Sequence, residues 1–518
     1  MSAVASIPSA RQFALPVAMV TLTTFLFDLL FWQRDAGLNF LLFNVVVTGA
    51  LLVRYGWNGF SAPARWALLA NGVAGCMVVV HDSVIAIFAS IISLIAVAAF
   101  AHEPRLRSLF YGALQGAAGF LVTPVNAVSG IALAAPSNRT SRNGWRWLRL
   151  GVLPVLLLLL FTQLYRAGNP KFHALTAGFM DGLFEAIGEF FERFLTAHTL
   201  FVMFGAVTSA GLVLHAVPGV VRRMEEGYTD ILIRTRLKRP SWAQVLAMDP
   251  LERERRMGMI LLVAVNLLLA VVNVIDIDWV WFGFEVPTDF SLKQFVHEGT
   301  WMLIISILLS MVILMYLFRR NQNFYARSKG LKILAFAWVV QNFILGVSVF
   351  LRNYHYISFH GLAYKRIGVI VFLLLVLVGL VTLFIKIRER KSFFYLARIN
   401  AWAAFSALIL LSKIDWDSTI VRYNLAHWNQ GEIDVDNYLE MSDKVLPLLY
   451  ENLDVVEAQM MQHSQNEVRW VETLSPAAFG RSLALKRDRF HDRLAQSHWQ
   501  EWTLADTRTA AALKAIPN

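Results

Sequence analysis

Four stretches of this chain, Met257–Ile275, Thr300–Phe318, Ile333–Leu351 and Ile367–Ile385, each run nineteen residues without a charged side chain. A bilayer's hydrocarbon core, about 30 Å thick, takes about 20 helical residues to cross. Inside it every backbone N–H and C=O must be satisfied within the segment, which leaves the helix as the structure open to such runs. The composition agrees. The 518 residues are 57% hydrophobic and 16% charged, where soluble domains carry about 25% charge.

Seven more apolar segments extend the pattern: Phe13–Trp32, Leu38–Val53, Trp66–Val80, Val84–Phe100, Leu148–Tyr165, Leu200–Val221 and Phe393–Ser412. The first reads as an uncleaved anchor, because it is too long for a signal-peptide core. Segment Ser108–Ala135, interrupted by Pro124, reads as re-entrant or interfacial. The expected fold class is therefore all-α: a polytopic membrane bundle of about eleven spans plus that segment, with a small helical domain beyond it. Residues 1–221 form an N-terminal bundle, 222–256 a basic loop, 257–412 a C-terminal bundle and 413–518 a helical tail.

Charge sets the expected orientation. Basic residues in short loops mark the cytoplasmic side. Arginine and lysine crowd 222–256, 319–332 and 386–391, while the alternating connections carry Asp276, Asp278, Glu285 and Asp289. Those acids, and the tail, then face outside, and the N-terminus lies inside. The tail holds 11 Lys and Arg against 16 Asp and Glu, a net −5, so the rest of the chain carries +16 and the whole chain +11. That surplus fits cytoplasmic loops rather than nucleic-acid binding. The single cysteine, Cys76, excludes an internal disulfide and a cysteine-based zinc site.

Segment Phe172–Leu195 places apolar residues at helical spacing and Asp181, Glu185, Glu189 and Glu192 three or four apart. It reads as an amphipathic helix that either lies flat on the membrane or packs on neighbouring spans. In the tail, Ser475-Pro476 is a helix-start signal. Further helices are expected around Asp417–His427, Ser442–Asn452 and Asp454–His463, packed near the last span.

Ionisable groups in hydrocarbon are costly and find partners. Asp28 lies in the first span. His297 and Glu298 open the run that starts at Thr300. Arg352 closes the next, and Tyr354, His355, Tyr356, His360 and Arg366 follow. These form a candidate polar site at the outer boundary: Asp28, His297, Glu298, Arg352, Tyr356 and Arg366. The competing reading is structural. Glu298 near a helix start suits the helix dipole, and Asp28 would pair with Arg352 or Arg366. The intramembrane asparagines and Gln341 read as interhelical hydrogen-bond partners, and His215 as a satisfied core histidine. The sequence carries no catalytic signature. His-Glu-Gly-Thr-Trp lacks the second histidine of a zinc-protease helix, and no phosphate loop or dinucleotide fingerprint is present. No cofactor and no metal are expected.

Several pieces resemble a known family. "NVIDIDWVW", "FVHEGTW", Arg352 with Tyr356, "GLAYKR", "VRYNL" and "IDVDNYLEMSDKVLPLL" run in order from Met257 to Leu449, with a weaker match at "FWQRDAGLNFLLFN". Together they are similar to the bacterial membrane family called domain of unknown function 4173, related to the 4153 group. The family's Gly-Leu-Thr is Gly361-Leu362-Ala363 here, so the hydroxyl is missing. The resemblance implies a bacterial inner-membrane protein without an established activity. It places His297, Arg352, Tyr356, Gly361, Arg366 and Asn424 in motifs. Two functional expectations follow: binding or moving an envelope lipid or glycan precursor through an outward-facing polar cavity, or a scaffold or sensor whose tail binds an envelope protein. The weakest is a transferase using His297 and Glu298 as acid and base. The expected partners are the lipid bilayer and, through 413–518, that protein.

Overall fold

The computed structural model describes residues 10–134, 154, 158, 161–215, 219–234, 250–282, 292–427, 435–465 and 474–516. Among them the fold is all-α, with one isolated bridge, Ile231 to Lys391, in place of any strand. Eight described helices are long and apolar enough to cross a membrane, and three shorter ones, Leu15–Phe31, Leu109–Thr123 and Ala197–Val213, are also apolar. The chain is a multi-pass membrane protein. Ten of the eleven predicted spans fall on these helices, and most of Leu148–Tyr165 lies outside the described residues.

The chain divides into two compact units. The first draws on residues up to Gly72, Ile91–Leu106 and Tyr111–Arg222. It contains α1 (Ala10–Phe31), α2 (Leu38–Tyr55), most of α4 (Val84–His102) and α5 (Leu109–Ala134), then α6 (Pro170–Phe194) and α7 (Ala197–Val213). Helix α3 (Ala62–His81) begins in this unit and ends in the other. Phenylalanines bind α1, α2 and α7: the Phe27 ring lies 5.6 Å from Phe43 and 5.1 Å from Phe201. Helices α5 and α7 cross at glycines. A Cβ on Gly211 would come 3.1 Å from the Phe120 backbone, and one on Gly119 would come 3.1 Å from the Gly211 carbonyl. Small residues at such crossings let membrane helices approach closely.

Two expectations change here. Segment Ser108–Ala135 does not break at Pro124; α5 is one helix of 26 residues. The span expected to reach Val221 stops at Val213, ahead of Pro218-Gly219, and Gly219 turns with φ +70°. The predicted amphipathic segment is the helix α6.

The second unit contains Val73–Ser90, Arg107–Phe110 and Arg223 onward. After the short α8 (Val220–Glu226), which straddles the division, come α9 (Pro250–Asp276), α10 (Leu292–Leu317), α11 (Lys329–His360), α12 (Tyr364–Glu389) and α13 (Phe393–Ser412). Their shared core includes Leu262, Ile307, Leu314, Leu331, Ala335 and Leu383, all buried. A polar seam joins α9 to α11. Gln341 donates to Asn266 at 2.8 Å, Asn266 donates to the Leu334 carbonyl at 3.1 Å, and Asn273 donates to the Gln341 carbonyl at 3.1 Å. The interhelical role read for these amides is what the structure contains.

The tail follows directly as α14 (Trp416–Ala426), α15 (Asn437–Glu440), α16 (Leu446–Glu451), α17 (Leu453–Gln465), α18 (Pro476–Gln496) and α19 (Leu504–Ala515). Its starts are capped by side chains. Asp415 accepts from Ser418 N, Ser475 from Ala478 N and Thr503 from Asp506 N. Such caps satisfy amides that have no intrahelical partner. The tail's core, built on Ile420, Tyr438, Leu446, Leu449, Phe479 and Phe490, also takes in Ile367 of α12. The domain therefore shares its hydrophobic interior with a membrane helix.

Candidate functional site

Helix α9 ends in a π turn, Ile277–Phe282, where the α-helical hydrogen-bond spacing widens to i→i+5. Such turns are rare and are frequent at functional sites. Two bonds to α11 hold it: Trp281 donates its indole N–H to Ser348 at 2.9 Å, and His355 Nε2 meets the Val280 carbonyl at 3.2 Å. Directly before the turn stands Asp276, 3% exposed, ion-paired with Arg352, 7% exposed. Asp276 is thus not a loop acid, as its place among the outer connections suggested, but the last residue of a buried helical stripe with Asn266, Leu269 and Asn273.

Arg352 also faces α10, where a Cβ on Gly299 would lie 3.4 Å from its Nη1. The next residue, Thr300, is buried, and among the described residues neither its hydroxyl nor Asp276 Oδ2 has a hydrogen-bond partner. This leaves unused accepting capacity beside a buried charge pair.

Helix α11 continues to His360, so Arg352 and Tyr356 stand one turn apart on its buried face rather than in a connection. Gly361, at φ +76°, ends the helix. Arg366 returns to cap it: its Nη1 donates to the His360 carbonyl at 2.6 Å and to the Gly361 carbonyl, with its guanidinium 4.6 Å from the Tyr356 ring centre. Nη1 of Arg366 is thus already engaged by two carbonyls. Asn424 closes the far side of this junction. Its Oδ1 accepts from Leu362 N at 2.6 Å and its Nδ2 donates to the Leu362 carbonyl at 3.0 Å.

The junction extends into the tail. Tyr364 donates to Asp417 at 2.7 Å, Ser442 donates to the same carboxylate, and Lys444 lies 3.2 Å from Asp415 and 3.8 Å from Asp417. Lys444 also donates to the His81 carbonyl at 2.5 Å. Burial tends to raise Asp415, but Lys444 and the hydrogen bonds from Ser418 outweigh it and hold its carboxyl below the usual range.

The backbone places His297 and Glu298 in α10, which begins at Leu292, so neither lies in its first turn. A dipole interaction, which fades within that turn, does not account for Glu298. Their side chains lie outside the described residues. Asp28 pairs with His198 at 2.7 Å, in place of the expected Arg352 or Arg366, and the Trp32 ring packs on that histidine.

The first unit holds a second cluster that sequence reading did not assemble. Glu103 accepts from His215 at 3.0 Å and from Gly219 N at 2.5 Å, with Arg222 at 3.6 Å. Tyr55 bonds His102 Nδ1 at 2.7 Å, and His102 Nε2 meets the Leu212 carbonyl at 3.0 Å. A carbonyl only accepts, so Nε2 carries the proton and Nδ1 accepts from the phenol. The cluster fixes the end of α7 to the ends of α2 and α4. His215 is a satisfied histidine, as read, but it lies beyond its helix rather than within it. Among the described residues no group of three or more His, Cys, Asp or Glu side chains could hold a metal ion.

The family described as a domain of unknown function, DUF4153, matches residues 14–452. The match takes in the N-terminal half, where the motif resemblance was weak. It is to the 4153 group, to which the 4173 resemblance was related. None of the curated proteins and none of the solved structures matches the chain.

Proposed function

The chain belongs to DUF4153, a family described as a domain of unknown function, and from its own residues we propose that it is a bacterial inner-membrane protein that binds an envelope lipid or glycan precursor at the Asp276–Arg352 site. The N-terminus lies in the cytoplasm and the tail outside, following the arginine-dense loops. One observation carries this reading: a charge pair is kept buried at the end of a membrane helix, against a π turn, with one carboxylate oxygen that has no hydrogen-bond partner among the described residues. Intramembrane ionisable groups are costly and mark sites of function by default. An anionic headgroup competes with Asp276 for Arg352, while Thr300 and the free carboxylate oxygen accept from hydroxyls. Cells carrying Asp276→Asn together with Arg352→Gln, which removes both charges at once and leaves no buried charge unpaired, should accumulate the unprocessed lipid or glycan at normal protein level. An envelope profile equal to that of wild-type cells, with the variant folded and present, overturns the reading.

A scaffold role is the second reading, supported by Trp499 and Trp502, which are 58% and 47% exposed on the tail. Tryptophan is enriched at binding hot spots. Deleting the tail is a poor test, because its core includes Ile367 of α12. Trp499→Ala with Trp502→Ala leaves that core intact. Loss of function in the tryptophan double variant, with Asp276→Asn/Arg352→Gln active, favours the scaffold.

A further inference from the structure

A groove of about 250 Å³ runs along α12. One wall is a stripe of that helix, from Tyr364 through Gly368 and Phe372 to Leu375. Leu411, at the end of α13, and Trp416, at the start of α14, line it as well. The groove stands open beside Gly368, where a Cβ would meet no atom within 4 Å. The polar atoms of the lining side chains are already engaged. The Trp416 indole donates to the Leu411 carbonyl at 3.0 Å, and the Tyr364 hydroxyl donates to Asp417 at 2.7 Å. What remains for an occupant is hydrocarbon surface.

We infer that this groove holds the hydrocarbon chain of a membrane lipid, with the headgroup at the Tyr364 end. Three observations choose that occupant. The groove is cut into α12 and α13, two membrane-crossing helices, so the surrounding solvent is lipid. From Tyr364 to Leu375 is eleven residues, roughly 16 Å at 1.5 Å each, about half of a ~30 Å hydrocarbon core; this is the depth of one leaflet. The polar groups sit at one end only, where Tyr364, Asp417, Ser442 and Lys444 interlock. A chain with one polar end fits a groove with one polar end. A peptide does not, because the walls offer no free hydrogen-bonding groups to its backbone. The inference does not rest on the function proposed above, since neither Asp276 nor Arg352 lines the groove.

Substitution of Gly368 tests it. Protein purified from vesicles of phosphatidylethanolamine and phosphatidylglycerol, then washed in mild detergent, is weighed intact by native mass spectrometry. The wild-type chain should carry one retained phospholipid. Gly368→Phe, which fills the groove, should reduce the retained fraction at least fivefold, and Gly368→Leu by a smaller factor. Gly49 in α2 also has nothing within 4 Å of a built Cβ, so Gly49→Phe serves as the control and should retain the lipid. Monodisperse elution and an unchanged helical spectrum certify each variant. If Gly368→Phe fails to fold, Gly368→Leu supplies the result. Retention equal to wild type in the folded Gly368 variants, or no lipid on the wild-type chain, overturns the inference.

Discussion

Arg352 and Asp276, 76 residues apart in the chain, form a buried ion pair between α11 and α9. The partners lie in two separate family-like pieces, "NVIDIDWVW" and the Arg352–Tyr356 stretch. A third piece, "FVHEGTW", comes within reach through Gly299. "GLAYKR" and "VRYNL" meet through Leu362 and Asn424, and Tyr364 reaches Ser442 of the last piece through Asp417. Motifs spread over residues 273–449 are thus joined by these contacts within the second unit. From this arrangement the following outcomes are expected.

Removing one member of the pair should be costly. A buried charge left without its partner destabilises by about 3–5 kcal/mol, so Arg352→Met should lower the thermal midpoint of the purified protein clearly. Asp276→Leu combined with Arg352→Met should recover most of that loss. A double-mutant cycle on thermal unfolding measures the coupling, and additive effects would refute it.

Gly361 and Asn424 should behave as one hinge. A positive φ with an extended ψ, as at Gly361, costs a residue with a Cβ about 1–3 kcal/mol, and in Gly361→Ala the new Cβ would stand 2.6 Å from Asn424 Oδ1. Asn424→Ala leaves the Leu362 amide without its acceptor, a loss of about 1–3 kcal/mol. Both variants should make the tail cleave faster under limited proteolysis. An unchanged rate in both would show that the junction does not hold the tail.

Acid should loosen the tail at its mount. Asp415 titrates below its ordinary value in the folded chain, so the unfolded chain binds the proton more readily. Its contribution to stability is then fully present above the ordinary aspartate range, near 3.9, and is lost as pH falls through the depressed folded value. Lys444→Met removes the cation responsible and should shrink that acid-side dependence. Equal pH profiles for wild type and Lys444→Met would contradict the assignment.

Sidedness is open to direct labelling. After the exposed Cys76 is replaced, single cysteines are introduced at Arg234, an exposed position, and at Asp488, whose side chain is 65% exposed. An impermeant thiol reagent should modify position 488 in intact cells and position 234 only after permeabilisation. The reverse pattern would invert the proposed orientation.

Much of the fold was legible because its signals are local. A run of nineteen uncharged residues, a Ser-Pro helix start or an alternation of acids at helical spacing needs no distant partner to be read. The polar site was legible only in part. Arg352, Tyr356, Arg366 and Asn424 stood out in motifs, but Asp276 looked like one acid among several in a loop. The signal that could have found it is the helical stripe it shares with Asn266 and Asn273. Glu103 and His215 lie 112 residues apart, and no spacing rule joins them.

The sequence by itself determined that this chain crosses a membrane repeatedly as helices and carries a helical domain after the last span, since burial of apolar runs and capping of helix ends are decided residue by residue. Only the tertiary structure decided which charge meets which: Arg352 with Asp276, Asp28 with His198, Arg366 with the carbonyls at the end of α11. Each residue turns a helix by about 100°, so a partner depends on where a helix starts and how it is rotated against its neighbour, and neither is written in the segment itself.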